Sequence, residues 1–346
     1  MRVKKITFLM VITGGIILTA LAVNGGFYGS RALAASARST TDSIKELAEL
    51  VADGDNYILS GGRDGSISVY AEDYSRKMDF CTSHKNEIHA LAVAPDKKIF
   101  VTGDKDGKLI VWDLANYKTL VIPAAHRGDI RDIKFSQNGK FFATASKDRT
   151  IKIWDSKTLK AVKTLKGHKS YVTCVRFDPR DRILASVGVD NQLIIWDVKT
   201  GRQLKHKNNS HYRAVNQVEF SPDGKLIYTA SSDSTIKIWN VKNLSCQNTL
   251  KGHQSEILSL ALSPDGNTLF SAGRDKQLIC FRVDTGKKVG RIELPNNLYV
   301  VGISFVEDGK TVCIGDISGE LTMIDYASKK VITQRNVSPI YAMSQI

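Results

Sequence analysis

The chain has 346 residues, 42% of them apolar and 24% charged, with only seven Pro. That balance excludes a disordered or low-complexity chain, and length alone allows two domains. Five Cys do not describe a disulfide framework, so free thiols are expected, and a net charge of +14 points toward acidic partners.

Met1 to Lys5 carries three basic side chains, and Ile6 to Val23 is an 18-residue apolar run without a charge. Small-x-small sites follow at Ala32 to Ala34 and Ala35 to Ala37. A basic start, an apolar core and small-residue cleavage sites predict a signal peptide over residues 1–37. The run is nearly long enough to span a bilayer, and 11 to 14 residues separate it from the cleavage sites. A retained signal-anchor helix is therefore the alternative. Both readings keep the basic end inside and make the rest extracytoplasmic, periplasmic or secreted, tethered to the membrane if uncleaved. Residues 38–50 read as a linker, in which Ser43-Ile-Lys-Glu46 resembles a capping box on a short helix from Ile44 to Val51. An inner strand over the same residues is the rival.

From residue 51 onward the chain repeats itself. Trp112-Asp113, Trp154-Asp155, Trp196-Asp197 and Trp239-Asn240 are spaced by 42, 42 and 43 residues. Each Trp follows by 28 residues a His that closes a small-His pair: His84, His126, His168 and His211. The same gap joins His253 to Phe281. Turn aspartates keep step at Asp64, Asp106, Asp148, Asp190, Asp233 and Asp275, and Gly315-Asp316-Ile317 continues the phase. In the third unit, alternation predicts strands over Ile130 to Phe135, Phe141 to Ser146, Thr150 to Trp154 and Lys160 to Leu165. Gly139 takes the positive-φ place of the first hairpin turn.

Repeats of about 42 residues with Gly-His and Trp-Asp signatures resemble the WD-repeat (WD40-repeat) β-propeller family. The resemblance covers residues 51–346. It implies an all-β fold: a seven-bladed propeller of four-stranded antiparallel blades, preceded by the N-terminal signal or anchor helix. The first unit starts at Tyr57 with a second strand, while Ser338 to Ile346 matches an inner strand. The C-terminal strand is thus expected to close the ring and leave no open sheet edge between first and last blades.

In that family the repeated His belongs to a buried hydrogen-bonded set with a second-strand hydroxyl, the turn Asp and the Trp indole. Here the resemblance matches His126, Ser146, Asp148 and Trp154, and again His211, Ser231, Asp233 and Trp239. Gly188 and Gly273 stand where other blades would need the hydroxyl. A set repeated blade after blade reads as scaffold, because a catalytic triad is needed only once. His89 and His206 read as solitary surface residues, and Arg127-Gly128-Asp129 as a tripeptide that arises from the repeat. The chain offers neither a phosphate-cradling glycine loop nor zinc-ligand spacing. No catalytic residue, cofactor or metal is expected.

Residues 131–170 hold eleven basic side chains against Asp132, Asp148 and Asp155. Lys157, Lys160, Lys163 and Lys166 among them read as protection of an outer strand edge. The family docks partners on the face built from the loops before inner strands and the second turns. On this chain that face would carry Arg63, Lys85, Lys105, Arg127, Lys147, Lys169, Tyr171, Tyr212, Arg213, Arg274 and Tyr299, with Glu87, Asp129, Gln254 and Glu256 beside them. The composition suits a protein or peptide partner, acidic rather than nucleic acid, held by a monomeric, non-enzymatic scaffold. The rivals are a propeller hydrolase or lyase with an axial-channel site, for which Arg131, His89 and Asn216 are scattered candidates, and an envelope sensor or assembly factor.

Overall fold

The computed structural model describes residues 10–11, 40–52, 57–71, 76–294, 300–306, 311–316, 320–325, 327–328, 330–336 and 340–345. Seven antiparallel sheets follow one another around a ring. The third shows the plan of each: Ile130–Phe135 is innermost, then Phe141–Ser146, Thr150–Asp155 and, outermost, Ala161–Lys166. The innermost strand is almost wholly buried and the outermost mostly exposed, because only the inner strands have neighbouring blades against both faces.

The apolar cores lie between blades. Ile133, Phe142 and Trp154 of the third blade pack with Val101 and Val111 of the second, while Ile151 and Ile153 pack with Val175 and Trp196 of the fourth. Alternation along each strand therefore feeds two cores at once, which is why these strands tolerate few polar residues on either face. Side chains also tie blades together at the centre. Asp132 accepts a hydrogen bond from the backbone N–H of Val175 (2.8 Å), Gln217 from Leu260 (2.9 Å) and Ser259 from Ile303 (3.0 Å).

The ring closes through both chain ends. Ile340–Gln345 pairs antiparallel with Tyr57–Gly62, with Leu59 opposite Ser344 and Gly61 opposite Ala342. Ser66–Ala71 and Arg76–Cys81 complete that blade, and Met10–Val11 adds two residues to its inner edge, opposite Ser344 and Met343. The rest of the predicted signal or anchor segment lies outside the described residues. Among those that are described, no helix is long and apolar enough to cross a membrane.

One helix is described, Thr40–Ala52. It begins four residues before the predicted Ile44, so Ser43 is not its cap but a buried residue of its first turns. Ile44 and Leu47, three apart on one face, enter the core shared by the first and second blades. Cys174 and Cys313 are buried free thiols, Cys280 is buried, and Cys246 is an exposed free thiol. The side chain of Cys81 lies outside the described residues.

Candidate functional site

The repeated His is built into a proton chain whose direction the chemistry fixes. Trp154 donates its indole N–H to Thr144 Oγ1 (2.9 Å), which stands 2.6 Å from His126 Nε2, and His126 Nδ1 faces Asp148 Oδ2 at 2.9 Å. Asp148 can only accept, so Nδ1 carries the proton, Nε2 accepts, and the Thr144 hydroxyl donates to it. The fifth blade repeats this with Trp239, Thr229, His211 and Asp233. Burial, and beyond it the Lys152 charge, pushes the His126 imidazole below its ordinary value against the pull of Asp148. Burial also works to raise the Asp148 carboxyl, but the hydrogen bonds of His126 and Thr150 outweigh it and hold it well below the usual carboxylate range. The pair is a neutral imidazole on a carboxylate.

The hydroxyl is therefore two residues earlier than the sequence suggests. Ser146 instead donates to the Gly128 carbonyl (2.9 Å) and accepts from the Asp148 N–H, and Ser231 likewise donates to the Ala214 carbonyl (2.9 Å). Residues 144 and 146 point to the same face of the strand, so alternation cannot choose between them. A register shift between Ala145 and Ser146 turns the latter into the loop. The same shift of two corrects the expectation for Gly188 and Gly273. Ser186 and Ser271 supply the hydroxyls of those blades, each 2.8 Å from the His ring. In the second blade the carboxylate itself moves: His84 Nδ1 meets Asp104 (2.7 Å), not the turn residue Asp106.

On the loop face, several predicted contact residues are already engaged. Glu87 receives Arg63 (3.2 Å), Lys105 (3.1 Å) and His89 Nε2 (3.1 Å). Asp129 receives Arg131 (3.0 Å), Lys147 (2.8 Å) and His89 Nδ1 (2.8 Å). Burial works to raise Asp129, yet the hydrogen bond from His89 and the Arg131 charge hold it well below the usual range. His89 is thus a buried member of a charge network rather than a surface residue, and Asp129 is unavailable as part of an Arg-Gly-Asp signal. Arg274 pairs with Glu256 at 3.0 Å. His206 is exposed as expected.

Deeper in the channel, Arg176 bridges Asp132 of the third blade (2.9 Å) and Glu219 of the fifth (2.7 Å). Sequence reading missed this bridge, because residues 43 and 44 apart meet only when neighbouring blades pack.

The cations that remain outward are Lys85, Arg127, Lys169 and Arg213, together with Arg149, which sequence reading left out of the face. No carboxylate partner exists for these five among the described residues. Tyr171 is 42% exposed and Tyr212 is 91% exposed, and Tyr299 lies outside the described residues. Arg127, Lys147, Asp148, Arg149, Lys169, Ser170 and Tyr171 line an open cleft of about 580 Å³ between the third and fourth blades.

The family profile described as IFT122 first beta-propeller matches residues 119–332, more than half of the chain, and the WD domain, G-beta repeat profile matches residues 76–113. The chain belongs to the WD-repeat β-propeller family. Relatives of this WD-repeat propeller include the guanine nucleotide-binding protein subunit beta of Arabidopsis thaliana, 30% identical over 86 residues, which are 25% of this chain and 22% of that protein. The corresponding subunit of Solanum tuberosum is 28% identical over 101 residues, 29% of this chain and 26% of that protein. The match spans about a quarter of the length of these curated relatives. Within the WD-repeat register, the His-hydroxyl pair recurs in five blades, at His84, His126, His168, His211 and His253, which is the distribution of scaffold and not of a reaction centre.

Proposed function

We propose that this WD-repeat propeller is a non-catalytic scaffold that holds a protein partner on its loop face. The observation that carries the reading is the pairing of two exposed tyrosines, Tyr171 and Tyr212, with outward cations that have no carboxylate partner among the described residues. Aromatic and Arg side chains are the usual anchors of protein interfaces, and charge on such a face speeds encounter with an acidic partner. The relatives are named as subunits, parts of an assembly, and the same use is proposed here. Against chemistry in the channel stands the mutual neutralisation of its charged groups, Asp129 by Arg131 and Asp132 by Arg176.

A photo-crosslinking residue placed at Tyr171 and at Tyr212, and for comparison at Val162 and Leu204 on the outer strands, tests the face. Crosslinked partner is expected from the tyrosine positions. Crosslinks confined to Val162 and Leu204 would move the docking surface to the rim.

Export belongs to the same proposal. Its support is the basic start and the uncharged apolar run from Ile6 to Val23. Mass spectrometry of the mature N-terminus separates a cleaved from a tethered form. A soluble product that retains Met1 would reject both.

A further inference from the structure

We infer that the cleft between the third and fourth blades binds an extended acidic segment of a partner polypeptide, an inference that rests on the loop-face reading and narrows it. Four cations reach this cleft: Arg127, Lys147, Arg149 and Lys169. Lys147 is engaged by Asp129 and lies 5.8 Å from the centre of the Tyr171 ring. The other three have no carboxylate partner among the described residues. The acid in the lining, Asp148, is already held by His126, by the Thr150 hydroxyl and by the backbone N–H of Arg127. Asp148 keeps its charge but its oxygens are occupied, and the three unpaired cations leave the lining with a net positive charge for an outside anion.

The backbone at the cleft narrows the chemistry of that anion. Arg149 sits at φ 71°, in the left-handed region that side chains rarely adopt. The matching turn positions of the other blades, Gly65, Gly107, Asn191, Ser234 and Lys276, are left-handed too, so this conformation belongs to the repeat and the choice of Arg is particular to the third blade. Next, the two backbone amides that follow His126 and His168 at the cleft are spent. The N–H of Arg127 goes to Asp148 (3.0 Å) and that of Lys169 to Asp190 (2.6 Å). Neither is left for the amide nest that cradles a single phosphate. Side-chain cations spread along an open cleft then carry the recognition, with Tyr171 as an apolar wall. That arrangement suits several carboxylates in a row better than one compact dianion.

Fluorescence anisotropy of a labelled hexaglutamate peptide on the full chain tests the inference. Binding that weakens with salt is expected, and Arg127→Gln, Arg149→Gly and Lys169→Gln combined should reduce affinity by on the order of tenfold. Arg149→Gly alone introduces a residue the backbone favours, so it should fold and still lose part of the affinity. Lys199→Gln with Lys242→Gln, exposed turn residues outside the loop face, should bind as the parent does. The inference falls if the parent does not bind the peptide, if the cleft variants bind unchanged, or if millimolar inorganic phosphate displaces the peptide fully. It also falls if a single-stranded oligonucleotide of equal length competes better than unlabelled peptide. Crosslinks from Tyr212 without any peptide binding would sink the cleft and leave the loop face standing. Loss of peptide binding only in a variant lacking Lys157, Lys160, Lys163 and Lys166 would sink both.

Discussion

At the scale of the residue, one hydroxyl does the work of a junction. Thr144 accepts from Trp154 and donates to His126, so removing it strands two buried polar groups at once. Thr144→Val, which keeps the shape, should cost about 1–3 kcal/mol in urea unfolding, more than Ser146→Ala at about 1 kcal/mol. An equal cost for both would put the junction back at Ser146. The imidazoles add a pH dependence whose sign is fixed. Burial holds His126 and His211 below the ordinary imidazole value. A depressed His contributes its stability above its unfolded value of about 6.5 and loses it as pH falls through the folded value. Asp148, Asp190, Asp233 and Asp275 are also lowered, and their contribution disappears only as pH falls below about 4. Melting temperature should therefore drop in two acid stages. A melting temperature that rose between pH 7 and 5 would contradict the neutral imidazole.

At the scale of the element, turns and outer strands divide the surface between them. The second turns are pinned: Gly107 has φ 83°, and a Cβ there would lie 2.4 Å from the His126 carbonyl oxygen of the next blade. Gly107→Ala should destabilise by more than about 1 kcal/mol, from both the left-handed backbone and the clash. Calorimetry that finds it neutral would mean the turn relaxes. The outer strands carry the opposite burden. Gln203–Lys207 is exposed at every position, and Ala161–Lys166 at most of them, with Leu165 turned into the core. Their lysines discourage pairing with other chains while leaving the loops free for a partner.

At the scale of the whole molecule, stability depends on closure. Tyr57–Gly62 has an inner partner only because Ile340–Gln345 returns to it from more than 270 residues away. Removing residues 340–346 would open that sheet edge and uncouple the first blade from its neighbours. Aggregation or a large loss of thermal stability is the expected result. A truncated chain that melts like the full one would show that the ring does not need its clasp.

The repeat fixed by itself the number of blades, the order of strands and the phase of His, Asp and Trp, because burial on alternate positions leaves a period that any reader can count. The basic excess around residues 131–170 was equally legible as composition. Which cations stay free was not. Arg63, Lys105, Lys147 and Arg274 look identical in sequence to Arg127 and Lys169, yet Lys105, Lys147 and Arg274 meet Glu87, Asp129 and Glu256 between the loop and turn of their own blades, and Arg63 meets Glu87 of the next blade. His89 and Arg176 likewise acquire partners from residues about 40 positions away, one blade over. The choice between Thr144 and Ser146 turned on a bulge of a single residue. Periodicity reports which face a side chain takes. Its partner across a blade boundary is decided by distances that exist only after the sheets have packed.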